Sequence, residues 1–491
     1  MNTTSHTVRF LLDGKEHTIV FDGNNPLKPS TTLLNYLRSL EGHKGVKEGC
    51  AEGDCGACTV VVATPGEKGK LKYTALDSCL VFLPMIHGKQ VITVENLKDD
   101  SYGPAKLHPV QDLMISQNGS QCGYCTPGFV MSMFALYKNH HNPSREVVLD
   151  ALTGNLCRCT GYQPIVNAAL KACQNHGKDH FSPGENDVAE ILLRWRIQQK
   201  DLSLTGGGQK YFLPASLFSA LSLREKYPDA VLVCGATDVA LRQTKKNEHF
   251  PVVIDLSAVW QQDRYSRTGE YLNVSAGITL EELKNIVQDD FPALHEMLVV
   301  FGSLQIRNIA TIGGNIGSAS PIGDTLPLLF AYKAIVNLTH TSGASRSLPV
   351  EEFVTGYRQT DLRSGELISS VTIPFQARDR LIRSYKVSRR KDLDISTVSA
   401  AFSLKTVENV VEDIVMVYGG MAAQTQRARN AEAFLAGKTW SRNTIEEAMK
   451  IVEQEFTPLS DARADKEARK IAASNLLMRF FVDVAGIKIF T

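Results

Sequence analysis

Three kinds of pattern are missing from this sequence of 491 residues, and each absence excludes a class of protein. No apolar run reaches the roughly 18 residues that a membrane span requires. The opening residues MNTTSHTVRFLLDG lack the charged and then apolar pattern of a secretory signal. Lysine and arginine together number 53 against 52 acidic residues, so no strong field attracts nucleic acid or an anionic membrane. We therefore expect a cytoplasmic protein that binds neither nucleic acid nor membrane.

Two further absences concern cofactor binding and domain organisation. The sequence contains no G-x-G-x-x-G motif, so it lacks the fingerprint of a Rossmann dinucleotide site. It also contains no internal repeat. Its length, with a hydrophobic share of 43%, is enough for about three or four domains, each with its own core.

Cysteine, by contrast, occurs in a specific arrangement. Two groups of four account for most of the ten cysteines: Cys50, Cys55, Cys58 and Cys79, then Cys122, Cys125, Cys157 and Cys159. The first group, within GCAEGDCGACTV and DSCL, has C-x4-C-x2-C spacing and a more distant fourth cysteine, which is typical of plant-type [2Fe–2S] ferredoxins. Two iron–sulfur clusters in one chain would indicate a protein that receives electrons and passes them on.

Zinc is the alternative ligand for each group, because structural zinc also binds four cysteines, usually as C-x2-4-C pairs. The glycine-rich loop of the first group, with Gly49, Gly53 and Gly56, favours a cluster, since such a loop brings backbone N–H groups to the sulfurs. The second group, within QCGYCTPG and GNLCRCTGY, fits either metal on spacing alone. Disulfides are disfavoured by the close spacing. Cys173 and Cys234 are left over and are predicted to be small buried residues.

Local patterns in the first third of the chain predict two different domains. A hairpin over 5–21 turns at Asp13-Gly14, a helix covers 31–40 and a β-branched strand covers 59–62, which together predict an α+β domain over about 1–95. From about residue 108 to 173 the apolar spacing becomes helical, with Ser144 as an N-cap. We expect an all-helical domain there, with its cysteines at helix ends.

The remaining sequence predicts a linker followed by mixed α/β structure. Residues 174–205 have a linker composition that ends at Gly206-Gly207-Gly208, with a possible helical interruption over 188–196. AVLVCGATDVAL predicts a strand, a glycine turn and a helix, PVVIDLS a strand, and ITLEELKNIVQDD a helix. Near the C-terminus, NTIEEAMKIVEQEF and ADKEARKIAASNLLMRFFVDV predict two more helices.

Two glycine loops in the second half are candidates for binding a phosphate group. One covers residues 234–238, and the other covers 311–315 and is followed by SASPIGD at 318–324. Loops of this kind expose several backbone N–H groups and suit a diphosphate, although tight turns explain most glycines in proteins. A protein with two clusters often needs a centre that converts single electrons into pairs, which a flavin does. We therefore expect FAD.

The chain resembles the molybdenum hydroxylase family, and within it the iron–sulfur and FAD subunits of xanthine dehydrogenases. The resemblance covers essentially the whole chain and is carried by GCAEGDCGACTV, QCGYCTPGFVMS, GNLCRCTGYQPIVNA, FGSLQIRNIATIGGNIGSASPIGD and DARADKEARKIAASNLL. It implies an α+β multidomain fold: a ferredoxin-like β-grasp [2Fe–2S] domain over 1–95, a helical-bundle [2Fe–2S] domain over 96–175, a linker over 176–205, a PCMH-type α+β FAD domain over 206–380, and a CO-dehydrogenase-flavoprotein-like α+β domain over 381–491. It also implies that both cysteine groups bind [2Fe–2S] clusters.

The resemblance further implies where FAD is contacted, and it implies no catalytic acid or base on this chain. The implied contacts are Val231, Leu232, Val233, Cys234, Gly235, Ala236, Thr237, Asp238, Phe301, Thr311, Ile312, Gly313, Gly314, Asn315, Asp324, Ile368 and Lys386. Ala236 departs from the Gly or Asn that the family often has, which leaves main-chain contacts intact but weakens the case for a side-chain contact. The charged segment 388–394 resembles one beside the flavin ring that affects NAD access, although a solvated charged turn is an equally good interpretation.

The family's organisation implies a partner and a reaction. Family members with one polypeptide continue into a molybdopterin domain, so we expect that domain on a separate large subunit, in a heterodimer or heterotetramer. The partner would hydroxylate hypoxanthine or xanthine, and electrons would pass through the helical-domain cluster and the ferredoxin-like cluster to FAD and then to NAD+. The alternatives are an aldehyde or N-heterocycle dehydrogenase subunit, and a stand-alone iron–sulfur flavoprotein that oxidises NADH.

Overall fold

The computed structural model describes residues 5–66, 69–99, 106–174, 179–260 and 264–485. The chain forms two compact units. The first unit comprises Met1–Val259 and Ser303–Ala310, and the second comprises Trp260–Gly302 and Thr311–Thr491. Elements are numbered in chain order, and each unit is described by itself.

The first unit begins with a five-stranded mixed sheet in the order β2-β1-β5-β3-β4. Its strands are β1 Thr7–Leu12, β2 Lys15–Val20, β3 Thr59–Pro65, β4 Leu71–Asp77 and β5 Gln90–Ile92. Asp13 and Gly14 connect β1 to β2 with φ angles of 50° and 80°, as a two-residue hairpin turn requires, so the predicted hairpin is confirmed. Helix α1, Leu33–Ser39, begins at the N-cap Thr32 and buries three leucines against this sheet. The result is the expected β-grasp arrangement.

The helical region that follows has four α-helices: α2 Pro109–Ser116, α3 Thr126–Asn139, α4 Arg145–Leu152 and α5 Gln163–Gln174. Helix α3 is buried from Gly128 to Tyr137 and forms the centre of the bundle. Ser144 caps α4, because its hydroxyl accepts a hydrogen bond from the N–H of Val147 at 3.4 Å. The predicted all-helical region is therefore confirmed.

The predicted linker has more structure than expected. It contains α6, Glu185–Ile197, whose Leu192 and Trp195 pack against Leu11 of the first sheet. It also contains β6, Leu202–Gly206. Gly207 and Gly208, with φ angles of 52° and 75°, make a second two-residue hairpin turn into β7. The linker prediction was wrong for this part, because the glycine run marks a hairpin and not a flexible segment.

The first unit ends with a four-stranded sheet in the order β6-β7-β9-β8. Its other elements are β7 Gln209–Leu213, α7 Leu217–Lys226, β8 Val231–Val233, α8 Val239–Thr244, β9 Val252–Asp255 and the short helix α11 Leu304–Arg307. Strands β7, β9 and β8 are parallel. The predicted strand, glycine turn and helix at 230–241 are all present.

The second unit begins with a five-stranded antiparallel sheet in the order β10-β11-β16-β12-β13. Its strands are β10 Tyr265–Arg267, β11 Tyr271–Ser275, β12 Ile335–His340, β13 Ser345–Pro349 and β16 Glu366–Pro374, and β14 Val354–Gly356 pairs with β15 Gln359–Thr360. Its helices are α9 Leu280–Ile286, α10 Pro292–Val299, α12 Ile312–Ser318, α13 Thr325–Ala331 and α14 Val350–Phe353.

The last part of the chain is an antiparallel meander with helices packed on it. The strands are β17 Arg380–Val387, β18 Val398–Val407, β19 Val410–Gly419 and β20 Gln426–Arg427. Three helices follow: α15 Arg429–Leu435, α16 Arg442–Glu455 and α17 Lys466–Val484. Phe480 of α17 lies 5.2 Å from Phe402 of β18, and α16 packs against α17, so both predicted C-terminal helices are confirmed. Within the described ranges, no helix is both long and apolar enough to cross a bilayer.

Candidate iron–sulfur and flavin sites

The first cysteine group meets as two pairs. The thiols of Cys50 and Cys55 are hydrogen-bonded to each other, as are those of Cys58 and Cys79. Cys58 and Cys79 are 2% and 1% exposed, whereas Cys50 and Cys55 are only half-buried. The hydrogen bond from Cys55 lowers the pKa of the Cys50 thiol to about 5.

Backbone N–H groups face these sulfurs, as an iron–sulfur loop requires. The N–H groups of Glu52 and Asp54 lie 3.4 and 3.3 Å from the Cys50 Sγ. A Cβ on Gly49 would come within 2.8 Å of the Cys55 Sγ, so this glycine gives the chain room at the sulfur. The same role predicted for Gly53 and Gly56 is not their steric constraint. Cβ atoms there would overlap Leu80 and Gly154, and both residues have positive φ.

The second cysteine group also meets as two pairs, but it lies at the surface. Cys122 is hydrogen-bonded to Cys159, and Cys125 to Cys157. Cys122 and Cys159 are exposed. Two tyrosines of the same motifs, Tyr124 and Tyr162, are 48% and 40% exposed, and the Tyr162 hydroxyl accepts a hydrogen bond from the Cys157 N–H at 3.0 Å.

The pairing of the thiols distinguishes the two candidate metals. In the described ranges, no three or more His, Cys, Asp or Glu side chains are arranged to hold a metal ion. Structural zinc needs four ligands around one tetrahedral centre. A [2Fe–2S] cluster needs four thiolates shared between two irons, so ligands that meet two by two fit it. The donor sets therefore fit two clusters better than two zinc ions.

The glycine loop of the first unit lies between β8 and α8. Gly235 and Ala236 both have positive φ, 94° and 63°, and both are buried. The φ of Ala236 explains why Gly or Asn suits this position, because other side chains are strained in the left-handed region. Within the described part of the chain, the N–H groups of Gly235, Ala236 and Thr237 donate to no protein atom. This loop therefore offers the free N–H groups that a diphosphate needs.

The glycine loop of the second unit does not offer its N–H groups in this way. Thr311 is the N-cap of α12, and its Oγ1 accepts from the Gly314 N–H at 3.1 Å. The N–H groups of Ile312, Gly313 and Asn315 donate to the carbonyl oxygens of Ile278, Ala276 and Thr311. The interpretation of this loop as a source of free N–H groups was wrong, because the loop uses them to join α12 to the preceding sheet.

Asp324 and Lys386 form a buried ion pair. The Lys386 Nζ lies 3.0 Å from the Asp324 Oδ2, and the Ser396 hydroxyl donates to Oδ1 at 2.5 Å. Lys386 also donates to the carbonyl oxygen of Val300 at 3.0 Å. Asp324 stands at the N-cap position of α13 but makes no capping hydrogen bond with its side chain. Ser396 was not predicted, since it lies far from both partners in the sequence.

The other predicted residues of the second unit occupy separate elements. Phe301 follows α10 and is partly buried, and Ile368 lies on β16, 9% exposed, with its Cδ1 near Gly317. In the charged segment, Arg389 donates to the carbonyl oxygens of Ala462 and Arg463. Leu393 is buried at a φ of 55°, and its N–H donates to the Gly302 carbonyl at 3.2 Å. The charged turn is thus held in place by backbone contacts.

Four family models match the chain in sequence order. They are the 2Fe-2S iron-sulfur cluster binding domain over 12–82, the [2Fe-2S] binding domain over 93–170, the FAD binding domain in molybdopterin dehydrogenase over 205–376, and the CO dehydrogenase flavoprotein C-terminal domain over 383–484.

Curated relatives are similar over nearly the whole chain. Xanthine dehydrogenase 1 of Arabidopsis thaliana is 34% identical, with 92% of this chain and 38% of that protein aligned. Aldehyde oxidase 3 of Rattus norvegicus is 30% identical, with 97% of this chain and 39% of that protein aligned. The chain therefore spans about two fifths of the length of the curated relatives it matches.

Solved structures share the fold of the flavin-binding half. Quinoline 2-oxidoreductase from Pseudomonas putida 86 matches with a TM-score of 0.52 and 24% identity over 56% of this chain and 95% of that chain. Carbon monoxide dehydrogenase from Hydrogenophaga pseudoflava matches with a TM-score of 0.52 and 25% identity over 55% of this chain and 94% of that chain. Four domain models in this order, with paired thiols in both cluster motifs, show that the chain belongs to the molybdenum hydroxylase family and carries its iron–sulfur and FAD-binding domains.

Proposed function

We propose that this chain is the electron-transfer subunit of a xanthine dehydrogenase. A molybdopterin-binding large subunit would oxidise hypoxanthine or xanthine, and this chain would carry the electrons to NAD+. Two [2Fe–2S] clusters would supply one-electron chemistry, and FAD would convert single electrons into pairs for hydride transfer. The eight predicted cysteines would hold the clusters, and the predicted contacts in both units would hold FAD. The domain limits proposed from the sequence stand with this assignment.

The observation that carries the proposal is the difference in exposure between the two cysteine groups. Cys58 and Cys79 are buried inside the first unit, whereas Cys122 and Cys159 are exposed beside Tyr124 and Tyr162. Exposed aromatic residues are typical of surfaces that a partner protein covers. An electron donor on another subunit would therefore approach the second group, while the first group stays insulated from solvent.

The chain's own residues would bind and orient the cofactors and would not act as acids or bases. The N–H groups at 235–237 are free to donate to phosphate oxygens. The N–H groups of Glu52 and Asp54 stabilise negative charge on the Cys50 sulfur. The rim of exposed residues around Cys122 would exclude water once a partner docks.

A substrate screen of the purified complex separates this proposal from its alternative, in which the partner oxidises an aldehyde or an N-heterocycle. Aldehyde oxidases among the relatives, at 30% identity, favour including that class. The complex should reduce NAD+ with xanthine or hypoxanthine, and the isolated chain should oxidise NADH with a small artificial acceptor but should not oxidise xanthine. Turnover of aldehydes alone would select the alternative, and xanthine turnover by the isolated chain would refute the subunit assignment.

A matched variant tests the route through the second cysteine group. Cys157→Ser should abolish xanthine-dependent reduction of NAD+ by the complex, because the electron donor on the partner loses its acceptor. The same variant should keep the NADH-dependent activity, which needs only the flavin. Loss of both activities with the flavin still bound would contradict the proposed order of the centres.

A further inference from the structure

The two cysteine loops are in direct contact through their backbones. The N–H of Leu156, next to Cys157, donates to the carbonyl oxygen of Cys55 at 3.0 Å. The side-chain amide of Asn155 donates to the carbonyl oxygen of Gly56 at 3.0 Å and to the Thr59 Oγ1 at 3.1 Å. A residue beside the second cysteine group thus bonds to the loop between Cys55 and Cys58 of the first.

Three glycines make this approach possible. A Cβ on Gly56 would overlap the carbonyl oxygen of Gly154, and a Cβ on Gly128 would overlap the carbonyl oxygen of Gly56. A Cβ on Gly154 would overlap the side chain of Gln305. Each glycine belongs to one of the cysteine motifs, so the motifs encode contact between the loops as well as metal binding.

The amide of Asn155 is held from behind by Gln305 and Ser132. The Ser132 hydroxyl donates to the Asn155 Oδ1 at 2.6 Å, and the Gln305 Nε2 donates to the same oxygen at 3.1 Å and to the Ser132 Oγ at 2.9 Å. The three residues are 0–2% exposed. Gln305 Nε2 also faces the Ala151 carbonyl oxygen, so only its nitrogen, and not its oxygen, fits the acceptors around it.

Gln305 is itself anchored in the first unit. Its helix, α11, carries Arg307, which is fully buried and donates to both oxygens of Asp150 on α4 at 2.7 and 2.9 Å. Asn308 donates to the carbonyl oxygen of Ala75 on β4 at 2.8 Å. The segment Ser303–Ala310 is therefore bound to both cysteine-bearing regions at once.

We propose that Asn155, held by Gln305 and Ser132, is a positioning residue that sets the distance between the two cysteine loops, and so between the clusters they bind. This inference rests on the proposed function only for the identity of those clusters. A buried amide network with all its donors placed defines one geometry, whereas an apolar contact of the same size tolerates sliding. Distance between redox centres governs their coupling, so a network that holds it constant has a functional consequence.

The test compares Asn155→Leu and Gln305→Leu with Asn308→Leu in the full chain. Asn308→Leu is a matched control, because it removes an amide from the same segment that bonds to β4 and not to either cysteine loop. The first readout is the magnetic interaction between the two reduced clusters, measured by EPR. Asn155→Leu and Gln305→Leu should retain both cluster signals at full intensity with an altered splitting, and Asn308→Leu should match the unsubstituted chain.

The second readout needs no cluster. Hydrogen exchange at the Leu156 amide, measured before cluster incorporation, should become roughly tenfold faster in Asn155→Leu, as expected for the loss of about one hydrogen bond. Asn308→Leu should leave that rate unchanged. An unsubstituted chain that contains no iron would refute the proposed function, yet the exchange measurement would still test the positioning role.

Two outcomes would overturn the inference. One is a splitting in Asn155→Leu equal to that of the control, with only the melting temperature lowered, since that would leave Asn155 with a packing role. The other is an unchanged exchange rate at Leu156. If Asn155→Leu does not fold, Ser132→Ala removes the hydroxyl that orients the amide, and it should shift both readouts in the same direction by a smaller amount.

Discussion

The carboxylate of Asp324 and the ammonium of Lys386 lie 3.0 Å apart, with each side chain 6% exposed. Neither charge has bulk water to solvate it, so each depends on the other and on the hydrogen bonds from Ser396 and to Val300. Both residues are proposed FAD contacts. Their pairing means that a variant at either site changes protein stability and flavin binding together.

Asp324→Ala should lower stability by about 3 kcal/mol, because it leaves Lys386 as a buried charge without its partner. The purified variant should be depleted of flavin and should retain both clusters. Thermal unfolding and flavin content measure the two effects. Glu432→Ala, which breaks the buried pair with Arg427 in the same unit, is the control and should lower stability without loss of flavin.

The double variant Asp324→Leu with Lys386→Met separates the two roles. Removing both charges together should restore most of the melting temperature, since an apolar pair can replace a buried ion pair at little cost. Flavin affinity should stay low if these side chains contact FAD. Recovery of wild-type flavin affinity along with stability would show that the pair is only structural.

Metal analysis should find about four irons and one FAD per chain, because each group of four thiolates holds one [2Fe–2S] cluster. Two zinc ions in place of iron would contradict the assignment based on paired thiols. The absorbance spectrum gives an independent check, since flavin and iron–sulfur bands are absent from a zinc protein.

Cys157→Ser should remove the second cluster and leave the first. The two groups form separate thiol pairs, so their ligation should be independent. One of the two EPR signals of the reduced chain should disappear. Cys173→Ala, at a buried cysteine outside both groups, should keep both signals. Loss of both signals in a folded Cys157→Ser chain would show that the groups are not independent.

Acid should destabilise the helical region through Asp179. Burial alone would raise the pKa of this carboxyl, but hydrogen bonds from His108 and Lys138 at 3.2 and 3.0 Å overcome it and hold the pKa below its usual range. A depressed folded-state pKa contributes stability above the unfolded value of about 3.9, and this contribution is lost as pH falls below it. Burial lowers the pKa of His108, so Lys138 carries the positive charge at neutral pH.

Melting temperatures at two pH values test this account. Asp179→Asn should be strongly destabilised at pH 7, where the unsubstituted chain has the full benefit of the carboxylate. The difference between the two proteins should narrow at about pH 3. A constant difference across this range would assign the effect of the substitution to packing.

Elements governed by local spacing were predictable from the sequence. The hairpin at Asp13-Gly14, the helix capped by Ser144 and the helices of the C-terminal region all follow from turn chemistry, capping and periodicity within a few residues. The linker was the main error. Its glycines predicted flexibility, whereas Gly207 and Gly208 use their positive φ angles to close a hairpin.

The roles of individual glycine loops were predictable only in part. Both loops have similar sequences, yet the N–H groups at 235–237 are free and those at 312–315 are bonded within the unit. The difference arises from the carbonyl oxygens of Ala276 and Ile278, which lie more than thirty residues before the loop that they bind. Sequence spacing carries no information on which distant carbonyl lies opposite a given N–H.

The sequence by itself determined the cysteine spacing, the local elements and the order of the domains, because each of these depends on neighbours along the chain. Only the tertiary structure decided which thiols pair, that Asp324 faces Lys386 rather than capping α13, and that Asn155 bridges the two cysteine loops. These contacts join residues tens to hundreds of positions apart. They form only where the packing of whole elements brings buried polar groups together, and each such group must then find a partner in that one arrangement.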